Sequence, residues 1–213
     1  MILDKDKALK IADYLLQIKA VKLQPNDPFT WSSGWNSPIY CDNRKILSYP
    51  EIRTAVRLTF AEQIKNEFEN VDVIAGVATG GIAIGALVAQ ELGLPFIYVR
   101  SSAKGHGLQN QVEGDFKAGD RVVVIEDLIS TGGSSFKAVE ALRNAEANVL
   151  GIAAIFTYGF QKSIDLFEEN NCKLFTLSDY DHLIDQAAAT NYVNDSQIES
   201  LKNWKLNPEN WNK

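Results

Sequence analysis

The spacing of hydrophobic residues changes along this chain, and each change marks an element. From Asp4 onward, Ala8, Leu9, Ile11, Ala12, Leu15, Leu16 and Ile18 recur at helical spacing. Asp4 or Asp6 is placed to cap the start, so an amphipathic helix opens the chain. Residues 29–42 behave differently, with two short β-prone runs around a Ser/Gly/Asn/Pro turn region, which predicts a hairpin carrying Trp31 and Trp35. Beyond Tyr49, Pro50 suits a first helical turn, and Val56, Phe60, Ile64 and Phe68 share one face, predicting a helix to about Glu69.

From residue 73 the pattern becomes regular. Residues 73–77, 96–99, 122–125 and 150–156 are apolar without alternation, as expected of strands covered on both faces. Helical stretches near 81–92, 132–145 and 162–170 separate several of them. This βαβα succession predicts an α/β fold with a doubly wound, mostly parallel sheet flanked by helices. The helix and hairpin before it form a small N-terminal hood. The expected division is residues 1–70 for the hood and first core helix, 71–178 for the α/β core, and 179–213 for a tail of one or two short helices. Together they read as one compact domain. Between the second and third strands, residues 101–114 show no usable apolar period, and a loop of that length inside a compact domain is usually functional or disordered.

Composition narrows the partners. With 46% hydrophobic residues in 213, the chain can bury a substantial core, which excludes disordered and fibrous classes. A formal net charge of -6 gives no general basic field, so neither nucleic acid nor an anionic membrane is an expected partner. No apolar run approaches bilayer length, and the first residues mix charges at once, so a cytoplasmic location is expected. The two cysteines, Cys41 and Cys172, lie far apart and read as free thiols. A small soluble ligand is the default.

In open α/β sheets, ligands bind beyond the carboxyl ends of the strands. The third apolar run leads into Glu126-Asp127-Leu128-Ile129, then Ser130-Thr131-Gly132-Gly133-Ser134 opening a helix. Backbone amides at such a helix start, with hydroxyls interleaved and no Cβ at the glycines, suit a phosphate. A turn and helix cap would use the same tetrapeptide. The adjoining carboxylates would repel a phosphate unless they faced ribose hydroxyls or a hydrated Mg2+, which points to a phosphorylated sugar held at both ends. No Lys-Ser/Thr follows the glycines as in a P-loop, and no Gly-x-Gly-x-x-Gly opens a helix. Gly80-Gly81, after the first parallel strand, suits either an anion or close helix–strand packing. Trp31, Trp35 and Tyr40 suit either a ligand wall or hairpin packing.

The segment 122–134 resembles the signature by which type I phosphoribosyltransferases bind 5-phosphoribosyl-1-pyrophosphate (PRPP). Residues 29–34, 37–42, 100–114 and 156–159 resemble orotate phosphoribosyltransferase in particular, over most of the chain. The resemblance implies that Glu126 and Asp127 hold ribose hydroxyls and that Thr131, Gly132, Gly133 and Ser134 hold the 5′-phosphate, with Leu128, Ile129 and Ser130 completing the PRPP site. It implies that Arg100, Lys104 and His106 carry positive charge to the pyrophosphate from a mobile lid, Lys104, His106 and Asp127 being the catalytic set. Ser130, Tyr40 and Cys41 are the expected orotate contacts. Mg2+ is expected as cofactor, held mainly through PRPP without a direct protein ligand, and a homodimer is implied in which the 100–114 loop reaches the neighbouring subunit. Many relatives have basic residues where this chain has Ser32, Trp35, Gly80 and Ser101, and an arginine near Gly159. A subgroup with Phe-Thr-Tyr in that last region is similar to this sequence. The competing readings are a phosphoribosyltransferase for a purine or other base and a non-catalytic PRPP-sensing regulator.

Overall fold

The computed structural model describes residues 2–31, 34–102 and 111–211. Its first helix, α1 (Lys5–Gln17), is capped by Asp4, whose carboxylate accepts the Lys7 N–H at 3.0 Å. The hood follows as β1 (Val21–Leu23), β2 (Phe29–Thr30), β3 (Asn36–Ser37) and β4 (Ile39–Cys41). The predicted hairpin is present only in part. Strand β2 pairs antiparallel with β3, but β4 pairs with β1 instead, an element the hydrophobic pattern did not reveal. Pro38 separates the two pairings, because it has no N–H to continue a ladder. Ser37 bridges the break, its hydroxyl donating to the Ile39 carbonyl at 2.9 Å and accepting the Ile39 N–H at 3.2 Å.

A 3-10 turn over Asn43–Ser48 leads to α2 (Pro50–Glu67), which buries Ile52, Val56, Phe60 and Ile64 as their spacing predicts. The core then runs β5 (Val73–Val77), α3 (Gly80–Leu92), β6 (Phe96–Val99), β7 (Val112–Glu113), β8 (Arg121–Ile129), α4 (Gly133–Asn144), β9 (Asn148–Thr157), α5 (Gln161–Glu169) and β10 (Lys173–Asp179). Six strands form one sheet in the order β10-β9-β8-β5-β6-β7, parallel throughout except for β7.

Alternate strand residues feed two hydrophobic layers, as sheet geometry requires. Ile74, Val123, Ile125, Phe175 and Leu177 pack toward α1, α2 and α3, whereas Val73, Ala75, Val122 and Val124 pack toward α4 and α5. The edge strand β10 is not evident from the pattern because Thr176 and Ser178, both buried, interrupt its apolar run. Strand β7 lies within the segment read as a structureless loop. Strand β8 extends four residues past its apolar run, so Glu126, Asp127, Leu128 and Ile129 are strand residues with fixed directions.

The tail forms α6 (Tyr180–Ala189) and α7 (Asp195–Leu206). Helix α6 packs on α1, and the Ser178 hydroxyl donates to the Ala8 carbonyl at 2.9 Å, so the two ends of the chain meet. Among the described residues no helix is long and apolar enough to cross a membrane.

Candidate active site

Strands β5 and β8 are neighbours, and their carboxyl ends bring two turns together. Past Ile129, residues 130–132 turn the chain into α4. Gly132 has φ of 82°, the left-handed region that glycine occupies without strain, and a Cβ there would meet the Phe167 ring at 2.9 Å. A Cβ on Gly133 would stand in open space. No side chain caps α4, so the first-turn amides at Gly133 and Ser134 remain directed at whatever anion enters.

The two acids before this turn are not equivalent. Glu126 is only 5% exposed; the Ser135 hydroxyl donates to one carboxyl oxygen at 2.9 Å and the Asp127 N–H to the other at 3.0 Å. Burial, aided by hydrogen bonding and charge from Asp127, pushes its carboxyl up to about 8. Asp127 is half-buried and lies on the opposite side, toward the start of α3. Its carbonyl accepts Nδ2 of Asn43 at 2.6 Å. Asn43 is 2% exposed, a burial that the sequence does not announce, since it stands between two other polar residues, Asp42 and Arg44.

The Gly80-Gly81 pair separates into two roles. A Cβ on Gly81 would fall on the Ile125 carbonyl, so this glycine serves close packing of α3 on β8. A Cβ on Gly80 would fall on the Asp127 carboxylate, so this one makes room for the acid. The Ala78–Thr79 peptide just before them is cis.

Beside the turn a cavity of about 680 Å³ opens between hood and core. Phe29, Thr30, Trp31, Trp35, Tyr40 and Cys41 line it from the hood, and Leu128, Ser130, Thr131 and Tyr158 from the core. The expected contacts Ser130, Tyr40 and Cys41 therefore share one wall space. Trp31 and Trp35 stack at 6.4 Å, and the Trp31 indole N–H donates to the Ile39 carbonyl at 3.1 Å. The aromatic group thus does both jobs, packing the hood and lining the cavity. Burial, with Asp127 and Asp42 adding charge, pushes the Cys41 thiol well above its usual range, and it donates to Asn43 Oδ1 at 3.3 Å. It is a wall thiol held protonated.

Residues 43–188 match the model of the phosphoribosyl transferase domain. The chain is 57% identical, over 201 residues, to the orotate phosphoribosyltransferase of Porphyromonas gingivalis, covering 94% of this chain and 96% of that protein. The chain belongs to the orotate phosphoribosyltransferase family. A Listeria monocytogenes orotate phosphoribosyltransferase is 58% identical over 204 residues, covering 96% of this chain and 98% of its own. The crystal structure of orotate phosphoribosyltransferase from Aeropyrum pernix superposes with a TM-score of 0.75 at 29% identity, covering 86% of this chain and 99% of that one.

The span shared with the wider phosphoribosyl transferase domain begins at Asn43 and so includes the carboxylates, the glycine pair and the turn at 130–134. The hood and α7 lie outside it. The cavity is thus lined from both sides of that boundary, by Phe29, Trp31 and Tyr40 before it and by Ser130 and Tyr158 within it.

Arg100 directly follows β6, the neighbour of β5 on the side away from β8. Val99 accepts the Ala78 N–H at 2.8 Å, setting Arg100 beside the Gly80 turn, and the Arg100 N–H bonds to the Gln111 carbonyl at 2.8 Å. Its guanidinium lies 3.5 Å from Glu113, so one cation ties both ends of the intervening loop. Lys104, His106 and Ser32 lie outside the described residues. Among the described residues no group of three or more His, Cys, Asp or Glu could hold a metal ion, and Glu126 and Asp127 are the carboxylates adjoining the turn at 130–134.

Proposed function

We propose that this chain transfers the 5-phosphoribosyl group from PRPP to orotate, giving orotidine 5′-monophosphate and pyrophosphate, the phosphoribosyl transfer of UMP synthesis. The observation that carries this reading is the junction at Ser130, where a helix-start anion turn and an aromatic cavity meet along one strand end, with Asp127 beside them.

On this reading the amides and hydroxyls of Thr131, Gly132, Gly133 and Ser134 hold the 5′-phosphate. Asp127 accepts from a ribose hydroxyl. Glu126, kept protonated by burial, acts mainly by orienting the Asp127 backbone. Orotate lies among Trp31, Trp35 and Tyr158, with the Ser130 hydroxyl and the backbone around Tyr40 and Cys41 facing its carboxylate. N1 of orotate, its proton released to solvent, attacks the anomeric carbon as the bond to pyrophosphate breaks and its electron pair leaves with the pyrophosphate oxygen, through an oxocarbenium-like transition state. Catalysis then rests on positioning and electrostatics, and no covalent nucleophile is needed. Arg100, with Lys104 and His106, supplies positive charge to the departing pyrophosphate. Mg2+, when bound, neutralises phosphate oxygens, and Asp127 is the half-buried carboxylate suited to face its hydration shell. We place the reaction in the cytoplasm.

Purified protein with Mg2+ and PRPP is expected to consume orotate, followed as loss of its ultraviolet absorbance, with EDTA abolishing the rate and adenine or hypoxanthine giving no product. Absence of orotate consumption at high enzyme concentration would sink the assignment. The proposed homodimer, with each 100–114 loop reaching the neighbouring site, has its own test. Mixing the inactive variants Lys104→Ala and Asp127→Asn should restore roughly a quarter of wild-type activity per site pair if subunits exchange randomly and sites act independently. No recovery after subunit exchange has been verified would exclude a shared site.

A further inference from the structure

The cavity wall is not built by the hood and core alone. Trp204 of α7 is 0% exposed, yet it stands directly behind two residues that line the cavity. Its ring meets Trp31 edge-on at 5.6 Å and Tyr158 edge-on at 5.7 Å, while Trp31 and Tyr158 contact each other at 5.2 Å. Phe160 at 5.4 Å and Tyr180 at 5.2 Å enclose it from the remaining sides. Helix α7 is in turn fastened to α6: Lys205 Nζ lies 2.6 Å from the Asp181 carboxylate, and the Tyr180 hydroxyl donates to the Leu201 carbonyl at 3.1 Å.

Packing for stability does not by itself account for tryptophan at this position. Its indole N–H is buried without a hydrogen-bond partner among the described residues, a cost that phenylalanine would not carry. What the indole adds is width, enough to touch Trp31 and Tyr158 at once. Edge-to-face contacts of this kind are directional, so they fix ring orientation as well as depth.

We propose that Trp204 is a positioning residue for the heterocycle: the C-terminal helix sets the angle of Trp31 and Tyr158, and through them the fit of the planar base. The inference rests on the assignment of the aromatic cavity to orotate. It also gives the tail a part in the reaction distinct from the phosphate end of the site, where the turn at 130–134 packs against α5.

The test is steady-state kinetics on purified full-length protein. Trp204→Leu should raise the KM for orotate about tenfold and Trp204→Phe about threefold, with the KM for PRPP within about twofold of wild type. The Trp204→Phe and Trp31→Phe effects should be non-additive in the double variant, because the two rings act through one contact. A merely structural role would instead lower the thermal midpoint and shift both KM values together. If Trp204→Leu does not fold, the phenylalanine variant decides. An unchanged orotate KM in a folded variant, or equal changes in both constants, would overturn the proposal while leaving an active wild type and its assignment intact. A wild type that does not use orotate would overturn the assignment and the proposal with it.

Discussion

Replacing Gly80 with alanine is expected to lower kcat/KM by about a hundredfold while leaving the protein folded, because a misplacement of about 1 Å at a reacting centre has that effect. The added methyl would fall on the Asp127 carboxylate. Strand β8 is held on both sides of Asp127 by the pairing of Glu126 and Leu128 with β9, and Asn43 holds the Asp127 carbonyl. The short side chain must therefore rotate out of the site. Gly81→Ala is the matched control. There the methyl meets the Ile125 backbone carbonyl, so the helix must shift and stability should suffer first. The measurement is kcat/KM for PRPP together with the thermal midpoint for both variants. Wild-type kinetics in Gly80→Ala, or a loss of midpoint equal to that of Gly81→Ala, would show that Asp127 does not depend on this glycine.

The second large effect is on stability against pH. Glu126 titrates at about 8 in the folded chain and near 4.5 when unfolded. Between those values the native state holds a proton that the unfolded state has released, so unfolding free energy falls as pH rises. The Glu126 contribution is fully present below about 4.5 and is lost as pH passes through about 8. At 1.36 kcal/mol per pKa unit the full change is on the order of a few kcal/mol. Glu126→Gln cannot ionise and should lack this dependence. Chemical denaturation of both proteins at pH 5, 6.5 and 8 checks it: the variant should gain on wild type steadily with pH. Parallel curves would mean that Glu126 is ionised in the fold.

These expectations differ in origin. The proposed phosphate turn is a local object: Thr131-Gly132-Gly133-Ser134 adjoin in the chain, and the amides they present follow from a helix start, so their chemistry reads directly from order and type. The same holds for α1 and α2, whose apolar periods are short-range, and for the strands β5, β8 and β9, whose unbroken apolar runs are covered on both faces; β6 has such a run too, but only Ile97 and Val99 of it are fully buried. Strand β10 escaped because Thr176 and Ser178 break its apolar run, although the fold buries both. Strand β1 escaped because three residues after a helix carry too little period to register.

What the sequence by itself determined, then, is the parallel α/β core, the acids and glycines at one strand end, and the family to which these motifs belong. Tertiary structure decided how they divide the work. It sent Glu126 into a buried pair with Ser135 and Asp127 toward Gly80, because neighbouring strand residues face opposite sides of the sheet and β8 runs through both. It separated Gly80 from Gly81 by what each approaches, and it paired β4 with β1. It also set Trp204 behind Trp31, two residues near opposite ends of the chain. Period and residue type describe neighbours along the backbone; contacts between distant segments depend on register and packing, which appear only when the layers close.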